Sequence, residues 1–291
     1  MNQAKAQEKE AKAQAKAQEK EAKAQAKAQE KDAKAKAKAQ EKEAKAQAKA
    51  EAGMLRVRFN HSDPTSAFAI DHCIEIGVDE AGRGPLFGRV YTGAVVLPLP
   101  SSSSSVIFNY SLLKDSKKFT SVQKIREVSD YIKQHALAWA VKYEEHDVID
   151  SINIRQATIR CMHAAIRDVM AQMGASAANT LLLIDGNDFI PMSTFNKQHG
   201  TLMQTPHVCV EGGDNTYCAI AAASILAKVA RDTYIEELCD KYPELDTMYG
   251  IRGNKGYGAK RHLEGIKEHG ITQWHRRSYS TNVGAPVNVL V

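Results

Sequence analysis

The chain has 291 residues, with 39 Lys+Arg against 34 Asp+Glu and a formal net charge of +5. The first 51 residues hold 14 Lys, no Arg and 9 acids, so they carry the whole excess, and the rest is formally neutral with 25 charges of each sign. That excludes a globular part made as one basic surface; no apolar run reaches the ~18 residues of a membrane helix, and the N-terminus lacks the apolar core of a secretory signal.

The five cysteines, Cys73, Cys161, Cys209, Cys218 and Cys239, show no Cys-x-x-Cys spacing. They read as buried thiols of a reducing compartment, so a monomeric cytoplasmic protein without a membrane partner is expected. Residues 1–53 form a Lys/Ala/Gln/Glu-rich tail in which Glu8, Glu19, Glu30 and Glu41 open the same motif every 11 residues. Its residues are strong helix formers, but Ala is the only frequent apolar one, so a solvated helical or disordered tail is expected. The sharper alternative is an electrostatic tether to nucleic acid. Residues 54–72 are a connector, 73–245 the main domain and 246–291 a C-terminal segment.

The main domain opens with a strand in which Ile74, Ile76 and Val78 alternate on one face. It ends in Asp79-Glu80 and turns at Gly82-Arg83-Gly84. A second strand spans 89–97, and the serine run 101–105 is a low-complexity insertion. Thr120 to Gln123 has capping-box spacing and starts a helix to about Gln134. A third strand covers 136–143 and a long amphipathic helix 149–173. Leu181 to Ile184 is a continuous apolar run ending in Asp185-Gly186, which suits a fully buried strand. A last strand, 206–210, leads to Gly213-Asp214 and a helix over about 215–241, whose Ala219, Ala221, Ala222 and Ala223 let it lie close to a sheet. Three strands in sequence, then strands alternating with helices, make a mixed α/β sheet.

Asp79, Glu80, Asp185 and Asp214 thus stand at strand ends, where α/β sheets bind ligands. Taken singly, Asp214 reads as a helix N-cap and Asp185-Gly186-Asn187 as a turn. Together they form a costly cluster that two Mg²⁺ or Mn²⁺ ions would relieve, and such a pair serves phosphoryl transfer. Gly82 and Gly84 leave backbone bare for close approach. Ser224, Lys228 and Arg231 share one helical face. Lys117 and Lys118 precede a helix N-terminus, a place for phosphate. Residues 253–258 read as a flexible basic loop whose Tyr257 suits stacking, and His275-Arg276-Arg277 as added charge.

In order along 74–279, the runs Asp79 to Pro85, Asp115-Ser116-Lys117-Lys118, Leu183 to Gly186, Gly213-Asp214, Ala222 to Asp232, Lys255 to Gly258 and His275 to Tyr279 resemble the ribonuclease HII (type 2 ribonuclease H) family. The resemblance implies an RNase H-like fold, a five-stranded mixed sheet flanked by helices with a C-terminal helical extension. It implies hydrolysis of RNA in RNA–DNA hybrids and at single ribonucleotides in duplex DNA, leaving 5′-phosphate and 3′-hydroxyl ends. Carried over, Asp79, Glu80, Asp185 and Asp214 are the metal-binding catalytic acids. Gly82-Arg83-Gly84 reads the ribose 2′-hydroxyl through its backbone, Tyr257 packs on the neighbouring deoxyribose, and Lys117 and Ser224 belong to the substrate side. Gly212 stands where the family usually has lysine, and the stretch from Tyr242 to Tyr257 is about four residues longer than is usual in the family. A catalytically silent nucleic-acid-binding module, or another two-metal nuclease on the same fold, remain the alternatives.

Overall fold

A computed structural model describes residues 55–59, 74–100, 108–196 and 200–290. The repeat tail, Cys73 and the serine run lie outside the described residues, as does most of the connector. A five-stranded sheet runs in the order β3-β2-β1-β4-β7. Its strands are β1 (Ile74–Ala81), β2 (Val90–Val96), β3 (Ala138–Glu144), β4 (Thr180–Asp185) and β7 (His207–Val210). β1 to β3 are antiparallel neighbours, and β4 and β7 run parallel to β1. The expected five-stranded mixed sheet is therefore present.

Period-two alternation sorts the strands' side chains between two faces. Ile76, Val78, Leu182 and Ile184 meet Met162, Ala165, Ile166 and Val169 of α2 (His146–Met173). Leu181 and Leu183 face the other way, toward Tyr217 and Ile220. On that face, α1 (Val122–His135) and α3 (Cys218–Lys241) complete a three-layer stack through Val95, Val128, Ile132, Ala222 and Ile225. The small-residue patch on α3 has partners in the sheet. A Cβ on Gly77 would stand 2.1 Å from the Ala219 carbonyl carbon, and one on Gly93 2.3 Å from the Ala223 oxygen. Only glycine permits this approach, and it brings Ser224 down onto the sheet edge.

Several boundaries shift for local reasons. The Ser121 side chain, not Thr120, caps α1 by accepting from Lys124 N–H. α2 begins three residues early and kinks at Asn153, which has φ 64° and ψ 161°. The kink gives the following turn its own cap, since Asn153 Oδ1 accepts from Gln156 N–H at 3.1 Å. A small antiparallel pair, β5 (Ser193–Asn196) and β6 (Thr201–Gln204), fills a stretch the sequence left unassigned. Arg56, within the connector, pairs with the start of α3: its N–H donates to Thr216 O at 2.7 Å and its carbonyl accepts from Cys218 N–H at 2.9 Å. Cys161, Cys218 and Cys239 are buried free thiols, and Cys209 is half-buried.

After α3 come α4 (Glu244–Tyr249), α5 (Ile251–Asn254), α6 (Lys260–His269), and the short parallel pair β8 (Ile271–Thr272) and β9 (Val287–Asn288). These pack Leu245, Tyr249, Ile251, Ile266 and Ile271 onto Phe87, Tyr234 and Ile235. Residues 55–291 form one compact unit. Among the described residues no helix is long and apolar enough to cross a membrane.

Candidate active site

The parallel register places Val78 level with Ile184, so the next residues, Asp79 and Asp185, end adjacent strands side by side. Strand β1 breaks immediately afterwards at Gly82, whose φ of +96° an L side chain rarely adopts. β4 and β7 are followed by a bend and a short 3₁₀ turn, Gly213–Asn215. That turn donates Asp214 N–H to Asp185 Oδ1 at 3.3 Å. The strand-end acids therefore gather at one edge by topology alone.

An open cleft of about 340 Å³ runs along this edge. It is lined by Asp79, Glu80, Gly82, Arg83, Gly84, Lys117, Asp185, Ser224 and Tyr257, together with Lys228 and Arg231 of the α3 face. Asp214 stands behind this lining, against Asp185. Glu80, Arg83 and Asp185 also border a smaller cavity of about 170 Å³ on the far side, where Arg155 pairs with Asp188 at 2.6 Å. Glu80 and Asp185 thus stand between two cavities.

The acidic wall of the cleft is electrostatically expensive. Asp79 is 6 % exposed. Burial pushes its carboxyl well above the usual range, and the charges of Glu80 and Asp185 push it further, while a hydrogen bond from Ser224 works against them. Burial also raises Glu80, partly offset by Arg83 at 3.2 Å. Asp214 is raised by burial and by its neighbours Asp185 and Asp115. Asp115 goes the other way. Burial opposes its ionisation, but hydrogen bonds from Lys117 N–H at 2.8 Å and Asn215 Nδ2 at 3.2 Å prevail and lower it.

A divalent cation fits this donor set. Four carboxylates supply hard oxygens, burial first and neighbouring acids second raise three of them, and among the described residues Arg83 alone forms an ion pair with any of them. As placed, no three acidic, imidazole or thiol groups among the described residues stand close enough to enclose an ion. Glu80 is turned to Arg83, and Asp79 Oδ1 accepts the Glu80 N–H at 2.6 Å.

The opposite wall is hydrogen-bonded into the fold. Residues 253–258 form the end of α5 and a hydrogen-bonded turn rather than an irregular loop. Asn254 Oδ1 accepts Gly256 N–H at 2.8 Å, Gly256 O accepts Leu86 N–H at 2.8 Å, and Arg231 donates to Lys255 O at 2.7 Å. Tyr257 projects from this frame with 51 % of its surface exposed. A Cβ on Gly84 would lie 3.4 Å from its ring, so bend and tyrosine flank one slot. Lys117 lines the cleft from a 3₁₀ turn, Ser116–Lys118, that comes shortly before α1, and Lys118 meets Asn215.

One reading of the sequence is corrected here. Arg276 does not add surface charge; it is fully buried. Its guanidinium donates to the carbonyls of Gly82 at 2.6 Å, Arg83 at 2.9 Å, Pro85 at 2.8 Å, Gly88 at 2.9 Å and Arg89 at 3.1 Å. The glycine bend has no regular partner for these carbonyls, and a planar five-donor fork supplies them. Burial pushes Arg276 down to about 10, so it keeps its charge at neutral pH. A lone Arg in a polar C-terminal run gave no periodic signal of this role.

Comparisons with known proteins bear on this arrangement. Residues 76–282 match the family model described as Ribonuclease HII. A Ribonuclease HII of Chlorobium luteolum is 41% identical over 203 residues, covering 70% of this chain and 86% of the relative. One of Bacteroides thetaiotaomicron is 43% identical over 209 residues, covering 71% and 90%. Among solved structures, ribonuclease H2 of Pyrococcus horikoshii superposes with a TM-score of 0.54 at 23% identity, covering 72% of this chain and 94% of that one. The fold and its acid-lined edge define a ribonuclease H-like hydrolase. The chain belongs to the ribonuclease HII family, and so to the metal-dependent ribonucleases H.

Proposed function

We propose that the protein cleaves the RNA strand of RNA–DNA hybrids, and cleaves at single ribonucleotides embedded in duplex DNA, leaving 5′-phosphate and 3′-hydroxyl ends. The observation that carries this is the single cleft in which Asp79, Glu80 and Asp185 face the Gly82-Arg83-Gly84 bend and Tyr257. A nuclease indifferent to ribose has no need of a bare backbone beside its acids. Two Mg²⁺ or Mn²⁺ ions, held by Asp79, Glu80, Asp185 and Asp214, would make an attacking water more acidic and stabilise charge on the leaving oxygen.

The chain's own residues do the rest. Ser224, whose hydroxyl hydrogen-bonds that of Ser116 at 3.0 Å, lines the cleft beside Asp79 and favours its ionised form. Arg276 fixes the bend so that backbone groups at Gly82 to Gly84 meet a 2′-hydroxyl, the group that distinguishes RNA from DNA. Tyr257 packs on the deoxyribose next to it, across the slot from Gly84. Lys117 contacts a phosphate from the cleft floor. Holding the scissile phosphate between these walls converts binding into orientation. Nucleic acid is then the partner, and we take the working form to be a cytoplasmic monomer.

The test is cleavage of a DNA duplex with one embedded ribonucleotide, with and without Mg²⁺. Metal-dependent scission on the 5′ side of the ribonucleotide's phosphate is expected. Cleavage of an all-DNA duplex would instead favour a ribose-indifferent nuclease, and tight binding without cleavage a silent module.

A further inference from the structure

Beneath Tyr257 lie two buried histidines that the reaction does not use, His262 on α6 and His275 beside Arg276; each is 0% exposed. His262 Nδ1 lies 2.8 Å from the Tyr257 carbonyl oxygen. Its Nε2 lies 3.0 Å from His275 Nε2. His275 Nδ1 lies 2.9 Å from the backbone nitrogen of Thr272 and 2.9 Å from its hydroxyl.

The two ends of this chain fix its protons independently. A backbone N–H can only donate, so His275 Nδ1 is an acceptor. A carbonyl can only accept, so His262 Nδ1 carries a hydrogen. In neutral rings the remaining nitrogens follow: His275 Nε2 carries a hydrogen and His262 Nε2 a lone pair. These two atoms face each other, and the roles inferred from opposite ends match in the middle. A charged ring at either position would set two N–H groups head to head. Phe87 packs edge-on against His275 at 5.0 Å and Tyr249 covers it at 5.3 Å, an apolar box that favours the neutral ring.

We propose that His262 and His275 are positioning residues for Tyr257: a tautomer-locked relay that ties the carbonyl of the exposed tyrosine to the C-terminal turn. The relay's far end is covalently next to Arg276, which holds the glycine bend. The same turn therefore sets both walls of the slot, and with them its width. The Tyr257 carbonyl also accepts Ala259 N–H at 2.7 Å, so the imidazole fixes the direction of a carbonyl already engaged locally.

The inference rests on the proposed role of Tyr257 at the RNA–DNA junction. The experiment compares kcat/KM on a duplex with one ribonucleotide and on a long RNA–DNA hybrid, for His262→Asn, His262→Gln and Tyr257→Ala. Asn places an N–H near the Nδ1 position and keeps the bond to Tyr257; Gln reaches His275 but loses that bond. The ratio of the two substrates should fall about fivefold in His262→Gln, the scale of one net hydrogen bond. It should fall comparably in His262→Asn, which loses the link to His275; a ratio within about twofold of wild type there would overturn the relay. Equal losses on both substrates in both variants, with lowered Tm, would mean a merely structural pair and overturn the relay. Should the variants not fold, ¹⁵N spectra of the wild-type protein decide: an Nδ1–H tautomer at His262 with Nε2–H at His275 supports it, and any other pairing overturns it. If Tyr257→Ala itself loses equally on both substrates, the junction role of Tyr257 fails, and the ¹⁵N pattern then judges the histidine pair alone.

Discussion

The two walls of the cleft are made by opposite means. The acidic wall takes its groups from strand ends that the sheet places side by side, and leaves them short of positive charge, with Asp79, Glu80 and Asp214 all raised by burial first. The glycine wall is complete in itself, its carbonyls satisfied by Arg276. Carboxylates raised in this way cost stability, which a bound cation would return. A wall that measures one hydroxyl, the role proposed for this bend, has to be shaped before the ligand comes, because a flexible backbone would meet ribose and deoxyribose alike.

The sharpest way to break this contrast is Asp79→Asn. Cleavage should fall at least about a thousandfold, ~4 kcal/mol of barrier, while substrate binding persists. The same change should raise the Tm of the metal-free protein. A carboxyl whose folded pKa is raised withdraws stability as pH rises from its ordinary value through the raised one. In EDTA the wild type should therefore lose Tm as pH rises above about 4, the ordinary carboxyl range, Mg²⁺ should restore it, and Asn should flatten the curve. A lower metal-free Tm in Asp79→Asn would mean that the acidic wall is not under strain.

Arg276→Lys strikes the other wall. A point charge cannot serve five carbonyls, so the loss should be about 3 kcal/mol, roughly 6–12 °C in Tm for a domain of this size. Mg²⁺ should not rescue it, whereas it rescues the acidic wall. A lysine variant with wild-type Tm and wild-type preference for ribose would remove Arg276 from the account.

The two glycines of the bend sharpen the comparison within one wall. A Cβ on Gly82 would meet Arg231 Nε at 2.3 Å at a φ of +96°, so Gly82→Ala should cost about 1–3 kcal/mol of stability along with activity. Gly84 has ordinary backbone angles and its Cβ would only touch Tyr257 at 3.4 Å. Gly84→Ala should keep its Tm within about 1 °C yet lose about tenfold in kcat/KM, because the methyl enters the space meant for the sugar. Full activity in Gly84→Ala would end the idea of backbone reading there.

The smallest effect belongs to the tail. A protein beginning at Met54 should keep its Tm and turnover, since residues 1–53 offer no core-forming side chains. Its binding should depend less steeply on salt if the lysines touch phosphate. An unchanged slope would leave the lysines without a role on nucleic acid.

Much of the acidic wall was legible because its signals are local. An apolar run ending in a carboxylate needs only a few residues to read, and Asp79 and Asp185 each gave that pattern, while Asp214 stood in the turn between the last strand and the long helix. The glycine bend was equally visible as Gly82-Arg83-Gly84. The fold class followed from the same runs, since buried strands and an alanine-patched helix state their own environment. The glycines that receive that helix, Gly77 and Gly93, were not legible, because a glycine in a strand shows only that something is missing, not what comes close.

By itself, then, the sequence determined the mixed sheet, the acids at its edge and the exposed aromatic of the slot, all of which depend on spacing within one element. The tertiary structure alone decided that Arg276 is a buried support rather than a surface charge, that residues 253–258 are tied into the fold by hydrogen bonds, and that His262 and His275 join Tyr257 to the same turn. These depend on contacts between residues far apart in the chain, up to 194 positions for Arg276 and Gly82. A polar side chain carries no mark of its partner. Whether it is solvated or fully desolvated and hydrogen-bonded is settled only when the chain closes around it.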